Sequence, residues 1–411
     1  MTRQHRFDVL IVGMGPAGIA AACAASESGL RVGVVDDNPR EGGQIWRGEA
    51  TSKLALHWMA RFKASKLEIL HETRVVDAPA AGELSAESGD TSVELRYDKL
   101  ILATGARERF LPFPGWTLPN VMGAGGLQAL VKGGVPIEGK RVVVAGSGPL
   151  LLAVAVYLRK RGATIPVIAE QAGSAALVRF AVSIGPSKIA QAVALKWALR
   201  GIPYVSGCWP TQAIGERQIS AVELQSAGKT WRERCDFLAC GFGLVPNLEL
   251  PLLLGCEIRD GFVTVDEWQQ TTLPNIYCAG EPIGIGGVDI AVIEGQIAGF
   301  AAAGIPDRAR REFPARARAV PMRSALHRAF ALRDELRTLA QPETIVCRCE
   351  DVPLDRMRAH PGWRAAKLQT RCGMGPCQGR ICGPAAEFLL GWKQESVRPP
   401  IFPVRLDHFT R

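Results

Sequence analysis

The chain has 411 residues, of which 47% are hydrophobic and 22% charged, with a formal net charge of +9 and a pI near 9.1. That length carries two or three domains with cores of their own, and the apolar fraction excludes a disordered chain. The basic balance reads as a solvated, arginine-biased surface; without aromatic side chains interleaved in a basic stripe it does not suggest nucleic-acid binding.

Strand-like sequence begins at Phe7-Asp8-Val9-Leu10-Ile11-Val12, which leaves no room before it for a secretory leader. A cytoplasmic protein is expected, and contact with the inner membrane through a complex is compatible with that. No uncharged apolar run reaches the roughly 18 residues a membrane-spanning helix needs. The best, Ala145 to Leu158, is interrupted by Ser147 and Pro149.

In chain order, residues 8–35 read strand, tight turn, helix, strand, and residues 93–105 hold an extended pair ending in Ala103-Thr104-Gly105. Residues 140–170 repeat the strand–turn–helix–strand pattern, and residues 262–303 give a short strand pair, a glycine-rich turn and an amphipathic helix. This predicts an α/β fold with two Rossmann-like units. The first is discontinuous, over 1–117 and 246–304, and the second spans 118–245. A basic linker follows at 305–340, with nine arginines against four acids between Ile305 and Arg337 and helical periodicity from Ser324 to Leu339. A small cysteine-bearing domain is expected at 341–390. The tail at 391–411, with Arg398-Pro399-Pro400-Ile401-Phe402-Pro403, cannot be helical through its prolines and should lie extended.

Gly13-Met14-Gly15-Pro16-Ala17-Gly18 follows a strand and opens a helix. Gly13 permits the tight turn, Gly15 lets backbone approach a pyrophosphate, and Gly18 lets helix pack on strand. The helix N-terminus then offers N–H groups to phosphate. Asp36 ends the second strand, where a carboxylate can accept both ribose hydroxyls; Asp37 is the fallback. Three further segments, Gly42-Gly43-Gln44, Leu102-Ala103-Thr104-Gly105 and Tyr277-Cys278-Ala279-Gly280-Glu281, come in an order that resembles the thioredoxin reductase-like two-dinucleotide-fold flavoproteins over residues 6–304. The resemblance implies FAD at this first site. It also implies a carboxylate after Gly280 on the ribityl chain; here that residue is Glu281, one methylene longer than the family's Asp. The redox cysteine pair that often accompanies the fold is missing before residue 347, which argues against disulfide reduction.

The second turn, Gly146-Ser147-Gly148-Pro149-Leu150-Leu151, has Leu151 where the third glycine belongs. Counting from the turn, Ala169 stands where Asp36 stands in the first unit, Glu170 comes one residue late, and Pro166 interrupts the strand. The site, with Gly146, Gly148 and Glu170 as its residues, therefore reads as degenerate, with NAD(P) or ATP as its candidate ligands.

Eleven cysteines and no leader argue against a disulfide framework. Six are scattered in mostly apolar segments, and five fall in Cys347-Arg348-Cys349 and Cys372-Gly373-Met374-Gly375-Pro376-Cys377-Gln378-Gly379-Arg380-Ile381-Cys382. A [2Fe-2S] cluster needs four thiolates, and glycines around the turn free N–H groups for sulfur. Structural zinc favours wider pairs than C-x-C. Arg348, Arg371 and Arg380 are placed to offset thiolate charge. This segment resembles the bacterioferritin-associated ferredoxin-like [2Fe-2S] domain. That resemblance implies Cys347, Cys349, Cys377 and Cys382 as ligands, with Cys372 spare.

Over nearly its full length the chain resembles the alpha subunits of heteromeric FAD-dependent amino-acid and opine dehydrogenases, the family of D-hydroxyproline dehydrogenase, opine oxidase and hydrogen cyanide synthase. The resemblance implies an electron-transfer subunit. Its partners would be a catalytic beta subunit similar to D-amino-acid oxidase and, in some complexes, a small ferredoxin-like gamma subunit; FMN at the subunit contact is known in related complexes. The six histidines (His5, His57, His71, His327, His360 and His408) lie outside the flavin motifs, and no catalytic base or nucleophile is identified. A self-sufficient NAD(P)H-dependent FAD/[2Fe-2S] reductase is the alternative. A non-enzymatic docking role is the third reading.

Overall fold

The computed structural model describes residues 2–48, 52–394 and 396–406, so His408 and the end of the expected tail lie outside the described residues. In chain order the elements used below are β1 (Thr2–Val12), α1 (Pro16–Ser26), β2 (Val32–Val35), β3 (Thr91–Leu102), α2 (Ala124–Lys132), β4 (Val142–Ser147), α3 (Leu150–Lys160) and β5 (Ile168–Glu170). They continue as α4 (Ser174–Ser183), α5 (Pro186–Ala198), β6 (Phe237–Phe242), β7 (Ile276–Cys278), α6 (Val288–Ala302), α7 (Pro306–Ala329), β8 (Ile345–Cys347) and α8 (Cys382–Leu390). Among the described residues no helix is long and apolar enough to cross a membrane.

Two compact units emerge. The first joins Met1–Arg107, Pro246–Arg323 and Ser396–Arg411. Its seven-stranded sheet pairs β1 in parallel with β2 and β3, and β7 in parallel with β3. Val9, Leu10 and Ile11 of β1 are fully buried, as a parallel strand covered on both faces requires. The register sets Val12 opposite both Val35 and Leu102, and Cys278 opposite Leu102. Four strands thus end together, and the next residues of each (Gly13, Asp36, Ala103 and Ala279) share one edge of the sheet, where α/β proteins bind ligands. In the tail, Ile401 donates its N–H to the Val76 carbonyl at 2.9 Å and is buried in this unit's core.

The second unit joins Glu108–Val245 with Ser324–Glu395. A five-stranded parallel sheet centred on β4, between β5 and β6, carries α3; a three-stranded antiparallel sheet of residues 208–234 stands beside it. The boundary after Arg107 precedes the expected cut at 117 because Phe110, Leu111, Phe113 and Trp116 belong to the second core. Leu336 and Leu339 enter that core too, so the cysteine region clusters with the second unit.

The linker also differs from expectation. Helix α7 starts at Pro306, a residue preorganised for a helix start, and ends at Ala329 rather than running from Ser324 to Leu339. Beyond it, the carbonyls of Phe330 and Ala331 are taken by side chains of the second sheet's turn.

Candidate cofactor sites

The first turn is built by close approach. A side chain on Gly13 would place Cβ 2.2 Å from the Ala103 carbonyl oxygen, and one on Gly18 would meet the Gly13 carbonyl at 1.9 Å. Gly15, by contrast, faces open space. It is the N-cap of α1, has no side chain to cap with, and is followed by Pro16 and Ala17, so no capping side chain occupies the first-turn donors. The positive end of the helix therefore faces a gap, the arrangement a pyrophosphate fills. Gly43 lies against Gly15, and Gln44 follows in the short helix of residues 43–46.

Asp36 and Glu281 are already engaged. Asp36 Oδ2 accepts from the Met14 N–H at 2.5 Å and Oδ1 from both Asn38 nitrogens, so a ribose would share this carboxylate with the turn itself. Burial and Asp36 beside it push the Asp37 carboxyl up, with Arg74 3.6 Å away. Thr104 donates to the Asn247 carbonyl at 2.8 Å, and Asn247 Nδ2 donates back to the Thr104 carbonyl at 2.8 Å. The Asn247 N–H donates to the Gly105 carbonyl at 3.0 Å, so Asn247, unnoticed in the sequence, clamps the Ala103–Gly105 corner. After Gly280, the Glu281 carboxylate turns back onto the Gly286 and Gly287 N–H groups at 3.1 and 3.0 Å. It caps the turn into α6, while burial raises its carboxyl.

A buried ion pair below this corner was also missed. Glu294, fully buried on α6, accepts from the Gly280 N–H at 3.2 Å and pairs with Arg323 at 3.0 Å and Arg316 at 3.7 Å. Burial pushes its carboxyl up to about 7 against the pull of the two arginines. Its signal was available: a lone acid inside the apolar run Val292-Ile293-Glu294-Gly295-Gln296-Ile297.

The second turn is bonded to the chain's own residues. The register sets Gly146 opposite Glu170, so Glu170, not Ala169, is the counterpart of Asp36. The extra residue is absorbed in the approach to β5, which starts only after Pro166. Gly148 adopts φ +103° where Gly15 is extended, and α3 begins one residue later than α1, which lets Leu151 sink into the core. Glu170 is fully buried; its carboxylate accepts from the Gly148 and Ala172 N–H groups, both at 2.8 Å, and burial pushes it up to about 7. The chain's own residues lie over the turn. Ser147 Oγ donates to the Phe330 carbonyl at 3.3 Å, Gln171 Nε2 to the Ala331 carbonyl at 3.2 Å, and the Arg333 N–H to Gln171 Oε1 at 3.3 Å.

The cysteines converge. Cys347, Cys349, Cys377 and Cys382 line one cavity of about 200 Å³, together with Phe110, Trp116, Met122 and Ile381. Trp116 Nε1 donates to the Ile345 carbonyl at 2.6 Å and Arg348 packs on the Trp116 ring, which ties the cavity wall to β8. Cys372 does not line the cavity, yet its sulfur lies within 4.8 Å of those of Cys347 and Cys382. It is buried, 3.6 Å from the Met357 sulfur. Hydrogen bonds from the Cys372 and Cys382 thiols, with one from the Gly373 N–H at 3.5 Å, hold Cys347 as the thiolate well below the usual thiol range. The same contact pushes Cys372 up to about 12. Arg371, expected to offset thiolate charge, is instead paired with Glu350 at 2.8 Å. Thiol sulfurs converging on a cavity walled by apolar side chains suit a metal cluster.

Comparison with known proteins agrees with this fold. Residues 7–297 match the family model described as pyridine nucleotide-disulphide oxidoreductase. The chain is 30% identical to an opine oxidase subunit of Rhizobium meliloti, over 97% of this chain and 86% of that one. It is 31% identical to the HcnB subunit of the hydrogen cyanide synthase of Pseudomonas aeruginosa, over 97% of both. Among solved structures, the L-proline dehydrogenase of P. horikoshii superposes with TM-score 0.76 at 20% identity, covering all of this chain and 81% of that one. The thioredoxin reductase of T. acidophilum gives 0.54 at 21% identity over 73% of this chain and 98% of that one.

Proposed function

Because the chain belongs to the pyridine nucleotide-disulphide oxidoreductase family, we propose that it is the FAD- and [2Fe-2S]-carrying electron-transfer subunit of a heteromeric dehydrogenase acting on an amino acid, imino acid or opine. D-hydroxyproline and opines are the substrate classes put forward. The observation that carries the reading is the match along 97% of the chain to relatives named as subunits, joined to a cavity lined by four thiols.

Gly13, Gly15, Pro16, Ala17 and Gly18 would hold the FAD pyrophosphate, with Asp36 on the ribose and Ala103–Gly105, Gly280 and Glu281 along the rest of the cofactor. Cys347, Cys349, Cys377 and Cys382 would hold the cluster, with Cys372 behind it. When bound, the flavin supplies two-electron and the cluster one-electron transfer. The chain's own task is placement: uncapped helix donors for phosphate, a second turn bonded to the chain's own residues, and apolar side chains around the thiols. Oxidation of the substrate C–N bond falls to a catalytic partner similar to D-amino-acid oxidase, whose two electrons this chain passes to an acceptor. The proposal includes FMN at the contact between this chain and that partner and, as in some complexes of this kind, a small ferredoxin-like subunit.

A self-sufficient NAD(P)H-dependent reductase is the second reading, favoured by the family description; the full burial of Glu170 counts against it. Anaerobic affinity purification of the chain from its native cells tests the proposal. A stoichiometric second flavoprotein that oxidises amino or imino acids is the expected result. A chain that comes down alone with FAD and iron, and is reduced by NADH, overturns it.

A further inference from the structure

Helices α4 and α5 are at odds with the unit that carries them. An isolated helix of 10–13 residues is marginal in water and owes its stability to an apolar face buried against something. Yet α4 buries no side chain, and among the described side chains of α5 none is buried. What each helix exposes is apolar and in register. Val178 and Val182, 63% and 83% exposed, stand four apart on α4; Val193 and Trp197, 60% and 68% exposed, stand four apart on α5, with Ile189 one turn earlier on the same stripe. Residues four apart share a helix face. The internal hold on α4 includes one aromatic contact, Phe180 edge-on to Phe330 with centroids 5.2 Å apart.

The charge around these stripes has one sign. From Gln171 to Gly215 the sequence has no Asp or Glu, and it has Arg179, Lys188, Lys196 and Arg200. Arg200 stacks on Trp197 at 4.4 Å and Lys196 on Tyr204 at 5.5 Å, which leaves their charge uncompensated by any carboxylate among the described residues. An exposed Trp with Arg beside it is the composition of an interface anchor.

We infer that the exposed stripes of α4 and α5 are the docking surface for the partner subunit, which presents an apolar patch rimmed by carboxylates. The inference rests on the subunit reading given above and adds where the partner binds. A second copy of this chain is the poorer occupant: a two-fold contact would set the acid-free face against itself on a chain already at +9. An anionic lipid surface fits less well, because helices that enter the interface carry Trp, Phe and Leu on the buried face, and these stripes are Val and Ile with a single Trp.

The test compares wild-type chain with V178D/V182D, V193D/W197D and the charge reversal R179E/K196E in anaerobic pull-downs from native cells. All the substituted positions are exposed, so FAD content, iron content and Tm should stay at wild-type values. The expected result is a drop of roughly tenfold or more in recovered partner for the two apolar variants, and a smaller, salt-sensitive drop for the charge reversal. Wild-type recovery of the partner by all three variants overturns the assignment while leaving the subunit reading intact. A wild-type chain that recovers no partner is a failure of the subunit reading instead. Two further results also overturn the assignment: flotation with phosphatidylglycerol vesicles that the apolar variants abolish, or self-association in sedimentation that they abolish.

Discussion

The two glycine turns of this chain start from one plan and end in opposite states. Both follow a buried parallel strand, open a helix and face an acid on the next strand. In the first, Gly15 is extended and the acid, Asp36, is only part-buried. In the second, Gly148 is left-handed, the acid is fully buried on the turn's own N–H groups, and residues 330–333 lie across it. The difference lies in one inserted residue before β5 and one leucine in place of glycine.

The largest effect on the account's two-cofactor assignment comes from the cluster. Cys377→Ser or Cys382→Ser should abolish iron and acid-labile sulfide loading, whereas Cys372→Ser, behind the cavity, should retain both; analysis of the purified variants decides it. Gly13→Ala comes next and sharpens the contrast between turns. Its Cβ would strike backbone at 2.2 Å, so a loss of about 2–4 kcal/mol and of bound FAD is expected. Gly146→Ala, the equivalent position in the second turn, would strike the Gly241 carbonyl oxygen at 1.8 Å, so a similar loss of about 2–4 kcal/mol is expected, with FAD retained. Loss of bound FAD from both purified variants would break the comparison.

Glu170 gives the comparison a pH signature. Its carboxyl rises from 4.5 to about 7 on folding, so the folded state binds the extra proton in that window. Stability is then fully present below about pH 4.5 and is lost as pH rises towards 7, by up to about 3 kcal/mol. Glu170→Gln, which cannot ionise, should lessen the slope of unfolding free energy between pH 5 and 7.5 and leave the share that Glu294 contributes. An unchanged slope would show that Glu170 is not the group responsible.

Local spacing made much of this legible. Gly13-x-Gly15-x-x-Gly18 and the C-x-C and C-x4-C pairs are short-range patterns, and the structure gathers the glycines on one turn and four of the thiols on one cavity wall. What spacing could not give was register and long-range contact. Counting residues put Ala169 in the place of Asp36, and only the β4–β5 pairing reveals Glu170 there. The cover of the second turn joins Gln171 to Ala331, 160 positions apart, and no periodicity reports that. Glu281 was read from its place in a motif; that its carboxylate also accepts from the N–H groups that open α6 is a contact no motif reports.

The most direct test is an anaerobic spectroscopic titration of the purified chain carrying FAD and iron. Dithionite should bleach the flavin and the cluster absorbance, while NADH at millimolar concentration should leave the flavin spectrum unchanged, as electron supply by a partner subunit requires. Rapid bleaching by NADH would mean that the second turn admits a nicotinamide cofactor, and would contradict the account of an electron carrier fed by a partner subunit.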